Sequence, residues 1–459
     1  MPRSHFTIEG SAALARVPAG GRIHVVGVSG VAMAQLAVEL SRRGYVVSGS
    51  DKEFYDPMGS LLRATRVQLF TGYAATNAPA EVDLVVIANA MFYDNPEVQV
   101  VEQRDLPYTS FPQIVGEWLI GDRHSIVVAG THGKTTTTGL IASVLHKAGT
   151  DPSYFIGGIL DDLPDSLHVG QGRFAAVEGD EYHSAFWARV PKFVFYRSRT
   201  LVLNAIEFDH ADIYPTLGDV VTAFCSLLTS LASDGVAICC TVFPQVRALL
   251  QEVGPGLSCR VVTFGTGERD DYRLVERVQR GATQIVRIES RRLGGLDVAL
   301  PLMGEHNALN AMATVAALAE NGFSPQLIRE HLATARTVKR RQQVRLNGTG
   351  VVLIEDFAHH PTAVSVTVRA VREVYPDRKL WAVFEPRSNT SRRKVFQEEY
   401  ERAFDCADQV ILANVASKSR MNQDVELMGD TDVVLLMSNG SFGGLPSKLE
   451  QALRSRRSS

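Results

Sequence analysis

Short apolar runs alternate with longer amphipathic stretches along almost the whole chain, a rhythm that predicts parallel α/β layers. The first block reads as a strand over Ile23–Val28, a helix over Val31–Arg43, and strands over Tyr45–Ser48 and Asp83–Ala88. A second block opens with a strand at Ser125–Ala129 that delivers the chain into a glycine turn at Gly130. It continues through strands at Phe174–Val177, Leu201–Leu203, Val236–Cys239 and Val261–Phe264, and closes on helices at Asn307–Glu320 and Pro325–Thr334. The third block follows the basic cluster Lys339–Arg341, with strands at Val351–Glu355, Leu380–Phe384, Gln409–Leu412 and Asp432–Met437. The expected domains are therefore 1–122, 123–337 and 338–459. The basic tail Arg454–Ser459 reads as frayed.

Composition narrows the class. At roughly 100–200 residues per domain, 459 residues fit several domains, and 45% hydrophobic with 21% charged residues is globular. A net charge of −3 gives no broad basic footprint for nucleic acid. No apolar run is long enough to span a membrane, and Met1–Gly10 lacks the apolar centre of a signal peptide. Five cysteines without CxxC spacing fit a reduced, cytoplasmic setting. Nothing in the sequence marks an oligomeric state.

The strongest local signal is Gly130-Thr131-His132-Gly133-Lys134-Thr135, between a strand and a helix-compatible run beginning at Thr136. Glycines let backbone N–H groups approach phosphate oxygens, and a helix N-terminus adds positive potential. Lys134 supplies a point charge for the terminal phosphates, and the Thr135 hydroxyl suits Mg²⁺. The usual pattern has a further glycine where Val128 stands, so this loop is a variant. An earlier turn, Gly27-Val28-Ser29-Gly30, is followed by Asp51 at the end of the next strand. Read alone it fits either a nucleotide pocket with an acidic ribose ligand or a tight structural turn, because Ala32 and Met33 replace the third glycine of the dinucleotide fingerprint.

Acidic clusters follow two central strands, at Glu178–Glu181 and at Glu207-Phe208-Asp209-His210. Carboxyl ends of such strands face the ligand crevice, so both can place carboxylates and an imidazole beside a Mg²⁺ held by Thr135. Asn307 reads locally as a helix cap, and Arg340-Arg341 as a basic pair whose alternative is a hinge arginine reaching a γ-phosphate. In Asp356-Phe357-Ala358-His359-His360-Pro361 the paired histidines invite a metal, but adjacent side chains diverge and no third histidine or cysteine is near in sequence, so zinc is not expected.

In order and spacing, the segments Gly130–Thr138, Glu178–Glu181, Glu207–His210, Gly304–Asn310, Arg340–Gln343 and Asp356–Pro361 resemble the Mur ligase family over nearly the whole chain. The resemblance implies a three-domain α/β architecture: a Rossmann-like UDP-binding domain, a central P-loop ATPase-type domain and a C-terminal Rossmann-like domain. It also implies ATP-dependent amide formation through an acyl phosphate. The stretches Ala88–Met91, Tyr182–Tyr196, Glu207–Ile213, Glu385–Thr390 and Ser438–Gly444 are similar to the branch that joins UDP-N-acetylmuramate to L-Ala-γ-D-Glu-meso-diaminopimelate in peptidoglycan recycling. The alanine-adding ligases are the near alternative. A nicotinamide oxidoreductase and a non-catalytic nucleotide-binding regulator are the readings from other classes.

By the same resemblance, Lys134 with Gly130, Thr131, His132, Gly133 and Thr136 would hold the ATP phosphates, and Thr135, Glu178 and His210 would hold Mg²⁺. Asn307 would meet adenine, Arg341 the phosphates, and Asp356 the ribose, with His359 beside the nucleotide. Gly27, Gly30, Asp51 and Asn89 would serve the UDP-sugar. Arg387 and Asn389, placed beyond the strand Leu380–Phe384, are separate candidates for the tripeptide carboxylates, since an arginine fork suits a carboxylate. His210 or a nearby acid would be the base for the attacking amine. Where many family members carry a carbamylated lysine, this chain has Cys225, and the muramate-using branch resembles it in lacking that lysine. The segment Ser417–Gly429 is shorter than its counterpart in relatives, which bears on the tripeptide pocket.

Overall fold

The computed structural model describes residues 6–336, 338–347, 350–387, 391, 396–413, 429 and 431–458. Three sheets follow one another along the chain. In the first, all five strands are parallel: Arg22–Val26 is central, flanked by Val46–Asp51 and Leu84–Ile87, with Gln68–Thr71 and Tyr108–Ser110 at the edges. Reversal of strand order on either side of Arg22–Val26 opens a crevice at the carboxyl end of that strand. The turn Gly27–Gly30 lies there.

The second sheet has ten strands. His124–Ala129 runs between Phe174–Gly179 and Thr200–Leu203, all parallel. Its Ile-Val-Val core is buried on both faces, as β-branched residues in a covered parallel strand should be. Helices Lys134–Lys147 and Glu305–Glu320 pack on it, and the alanine-rich buried face of the second lets the two approach closely. Beyond Arg260–Gly265 the sheet turns antiparallel, with Tyr272–Arg280, Thr283–Ser290 and Gly294–Leu300 forming a meander. This departs from the all-parallel expectation. Arg, Glu and Gln interrupt those strands, and their side chains stay partly exposed, so the apolar runs that mark buried strands are absent.

The third sheet carries Val433–Met437 between Val352–Asp356 and Leu380–Phe384, with Gln409–Leu412 at one edge and antiparallel Gln343–Leu346 at the other. Of the tail expected to fray, residues 454–458 continue a helix. Helix Leu445–Ser458 buries Leu449 and Leu453, and Arg454 pairs with Glu450 at 2.8 Å.

One core joins the first two sheets: Val25 and Leu36 belong to the same buried cluster as Phe111, Phe155 and Phe193. The third sheet has two separate cores of its own. Its link to the rest passes through Val338–Gln342, where Arg340 (φ +64°) and Gln342 (φ +49°) adopt left-handed backbone that non-glycine residues rarely take.

Candidate functional site

A cavity of about 710 Å³ lies where the carboxyl ends of the first and second sheets face the third, and all three contribute to its wall. The phosphate loop forms its floor. Gly130 (φ +122°) and Gly133 (φ +80°) need glycine on two counts. A Cβ on Gly130 would lie 2.7 Å from Ala205 N, and one on Gly133 only 2.4 Å from Asn310 Oδ1. Gly133 caps the helix that Lys134 begins, so free N–H groups of the first turn face the cavity. Thr131 is tied to the neighbouring strand end, its hydroxyl accepting from Glu207 N at 2.9 Å, while Thr136 lines the cavity.

Lys134 Nζ donates to Gly130 O at 2.7 Å and to Glu181 Oε2 at 2.9 Å. Burial opposes the ammonium charge, but Glu181 and Asp180 outweigh it and hold the lysine pKa above its ordinary value. Glu181 is itself buried, yet Lys134 and His210 draw its carboxyl down to about 2. Thr135 Oγ1 donates to Glu178 Oε2 at 3.0 Å, and the other Glu178 oxygen accepts from Gly157 N. Burial, with Asp180 nearby, pushes the Glu178 carboxyl up to about 7. Lys134 only partly offsets that rise, and a hard divalent cation on Thr135 and Glu178 would supply the remaining positive charge. His210 Nε2 stands 3.3 Å from Glu181 Oε1; burial lowers its pKa, and Glu181 and Asp209 more than restore it.

The third domain reaches this floor through adjacent arginines that point apart. Arg340 donates to Glu355 Oε1 at 3.0 Å and Ser438 O at 2.7 Å, so it fastens the third domain. Arg341 is half-buried, stacks at 4.7 Å on Phe357 and brings a guanidinium nitrogen 3.4 Å from Thr135 Oγ1. Asp356 accepts from Gln342 N and Ala358 N, each at 2.7 Å, which engages both carboxylate oxygens with backbone. His359 Nδ1 lies 3.1 Å from Phe357 O and borders the cavity.

Asn307 is not a cap. Gly304 precedes the helix Glu305–Glu320, and the Asn307 amide is buried, donating to Met303 O at 2.9 Å and Gln342 Oε1 at 3.0 Å. In the first sheet, Gly27 (φ +84°) makes the turn and Asp51 braces it, accepting from Ser29 N at 2.8 Å and Tyr73 OH at 3.1 Å. Gly30 and the exposed Asn89 line the same cavity. Arg387 does not: it is exposed and crosses over Gly440, where a Cβ would meet its Nη1 at 2.2 Å. Asn389 and all of Ser417–Gly429 except Gly429 lie outside the described residues. Cys225 packs against the core from helix Leu217–Thr229 and takes no part in the cavity wall.

Several wall residues were not singled out by the sequence. Lys192 is buried and bonds Asp180 Oδ2 at 3.0 Å and Tyr182 OH at 2.9 Å. A lone lysine ahead of the short helical turn Lys192–Phe195 carries no motif. His306 is pushed down to about 4 by burial and nearby Arg277 and Arg341, so it is a neutral ring beside Asn307. His132 Nε2 lies 2.6 Å from Glu207 Oε2, and His360 Nδ1 is 3.9 Å from that same oxygen. The signal for this grouping was present in the quoted motifs, but only folding brings them together.

Comparison with known proteins agrees with this geometry. The family description "Mur ligase family, catalytic domain" matches residues 22–123, "Mur ligase middle domain" matches 128–318, and "Mur ligase, glutamate ligase domain" matches 339–430. The chain belongs to the Mur ligase family. An Escherichia coli K12 relative, UDP-N-acetylmuramate–L-alanyl-γ-D-glutamyl-meso-2,6-diaminoheptandioate ligase, is 34% identical across 94% of this chain and 98% of its own. A UDP-N-acetylmuramate–L-alanine ligase of Polaromonas sp. is 36% identical across 86% of this chain and 83% of its own. Among solved structures, a murein peptide ligase from Psychrobacter arcticus matches at TM-score 0.73 and 28% identity, covering 95% of this chain and 99% of its own. A UDP-N-acetylmuramate–alanine ligase from Thermotoga maritima matches at TM-score 0.78 and 25% identity with the same coverage. The overall fold is thus common to both activities. Mur ligases are ATP-dependent amide-forming enzymes, and no helix among the described residues of this member is long and apolar enough to cross a membrane.

Proposed function

We propose that this ligase joins the lactyl carboxylate of UDP-N-acetylmuramate to the amine of L-Ala-γ-D-Glu-meso-diaminopimelate at the expense of ATP, a reaction of peptidoglycan recycling. The observation that carries the substrate assignment is the end-to-end match to the tripeptide-adding relative, 98% of whose length is covered, against 83% for the Polaromonas alanine-adding one.

The wall residues support a division of labour along the proposed domains 1–122, 123–337 and 338–459. The turn at Gly27–Gly30, braced by Asp51 and with Asn89 opposite, receives the UDP-sugar. The loop Gly130–Thr136 receives the triphosphate, Asn307 the adenine, Asp356 the ribose edge, and His359 borders the nucleotide. Thr135, Glu178 and His210 would hold Mg²⁺, which supplies charge neutralisation between carboxylate and phosphate. The lactyl carboxylate attacks the γ-phosphorus, and ADP leaves. Lys134 and Arg341 stabilise the charge that develops on the phosphoryl oxygens. The tripeptide amine then attacks the acyl phosphate carbonyl, loses its proton to His210 or a neighbouring acid, and phosphate departs. Closure of the third domain keeps water from the acyl phosphate.

The test is phosphate release from ATP and Mg²⁺ with UDP-N-acetylmuramate, supplying tripeptide and L-alanine in parallel and weighing the products. Turnover with tripeptide and little with alanine is the expected result. Preference for alanine would transfer the enzyme to the biosynthetic branch.

A further inference from the structure

Beside the phosphate loop, His132, Glu207 and His360 converge from three separate segments, with one candidate ligand atom from each within 4.8 Å of the others. His132 sits in the loop after His124–Ala129, Glu207 beyond the end of Thr200–Leu203, and His360 ahead of the third-domain helix Pro361–Val374. The observed separations of 2.6 and 3.9 Å from Glu207 Oε2 bracket the spacing of about 3.3 Å between ligands around a tetrahedral zinc. We propose that these three residues form a transition-metal site, taking Zn²⁺ or Co²⁺, that clamps the third domain onto the phosphate loop.

The surroundings prepare His360 for this role. Its Nε2 donates to Phe208 O at 3.1 Å, which leaves Nδ1 as the lone-pair nitrogen. That is the arrangement in which metal-bound histidines are held, one ring nitrogen on a carbonyl and the other on the ion. Nδ1 now takes a long bond of 3.3 Å from Thr362 N and faces the carboxylate, an acceptor meeting an acceptor. The ring is buried and packs edge-on to Phe396 at 5.3 Å, so it has little freedom to turn away. Asp209, also buried, adds negative potential nearby. Two imidazoles and one carboxylate suit Zn²⁺ or Co²⁺ and are too nitrogen-rich for Mg²⁺. The site is thus distinct in chemistry from the oxygen site at Thr135 and Glu178.

The metal-binding claim stands on these contacts alone, whereas its effect on turnover rests on the proposed ligase reaction. A metal bound to residues of both domains opposes their separation, and separation is needed to release products.

The test titrates Co²⁺ into the full chain with Mg²⁺ saturating. One equivalent should bind and produce the visible bands of a tetrahedral nitrogen–oxygen site. Glu207→Gln and His360→Gln should weaken binding by about 100-fold or more, whereas His210→Ala should retain the bands. Absence of bands, or their loss in His210→Ala with retention in His360→Gln, overturns the proposal. X-ray absorption of the zinc-loaded wild-type protein is independent of any variant's folding: two imidazoles at the metal are expected, and one or none refutes the site. A protein that binds Co²⁺ through His360 yet lacks ligase turnover supports the site and removes the ligase reading. In the active enzyme, Zn²⁺ should slow steady-state turnover but not the first turnover, and a chelator should restore the rate; inhibition of the first turnover would refute the clamp.

Discussion

The Lys134 ammonium lies 2.9 Å from the Glu181 carboxylate, the acid buried and the lysine mostly so. The lysine that would meet the terminal phosphates is therefore held and kept charged by an acid three residues beyond Glu178. Replacing Glu181 by alanine removes the partner in contact with that charge and leaves only the more distant Asp180 and Glu178, at a cost of about 3 kcal/mol. Glu181→Ala should lower the thermal midpoint clearly and depress ATP turnover, with Glu181→Gln milder on both. A variant as stable as the wild type would show that the pair carries no structural weight.

Gly133→Ala tests the floor of the cavity. Its Cβ would stand 2.4 Å from Asn310 Oδ1 and 2.8 Å from Asn204 Nδ2, on backbone at φ +80°. Both amides are buried and bonded to Thr137, so neither yields cheaply. ATP binding, followed by calorimetry, should weaken by about 10-fold or more for a local strain of roughly 1–3 kcal/mol. Unchanged ATP affinity would mean that the loop adopts another shape when the nucleotide binds.

Arg341 bears on chemistry rather than on the first domain. Arg341→Ala should reduce kcat by about 100- to 1,000-fold, the scale of losing one positioned electrostatic group. Binding of UDP-N-acetylmuramate alone should not change. Loss of sugar-nucleotide affinity in this variant would place the arginine in a different role.

Acid stability should depend on the first domain. Buried Glu97 accepts from Asn77 and Ser50 and faces His24 Nε2 at 3.0 Å. Burial would raise its pKa, but the bonds to His24, Ser50 and Asn77 prevail and it is lowered. Its folded pKa thus lies below the unfolded value of about 4.3. The stability it contributes is fully present above that pH and is lost as pH falls through the folded value. Thermal midpoints measured from pH 6 downward should fall less steeply for Glu97→Gln than for the wild type. Parallel curves would rule out this residue as the source.

Sequence alone made the sheet centres legible, because Ile126–Ala129 and Val433–Met437 are continuous apolar runs buried on both faces. The meander Tyr272–Leu300 escaped, since partly exposed strands interrupted by arginine and glutamate lose that mark. Within the site, the loop and its acids were legible as motifs, because each occupies one contiguous stretch. Pairings across the fold were not. Lys192 with Asp180, and His132 with Glu207 and His360, depend on strand order and on closure of the third domain, which local spacing does not encode. Asn307 misled as a cap because asparagine suits that position; the helix begins at Glu305, and its amide turns inward to Gln342.

The two arginines at the hinge have a consequence for safety. Arg340 is bolted to the third domain, and Arg341, one peptide away, touches Thr135 in the central one. The first and second sheets share a core, whereas the third is packed in separate clusters that meet the rest of the fold chiefly at Met303. On the proposed reading, a rotation that carries the Arg341 guanidinium off Thr135 also takes it off the phosphates. With Arg341 in that role the device is an interlock: the charge that stabilises phosphoryl transfer would arrive with the door and leave with it, so an open enzyme would idle instead of wasting ATP.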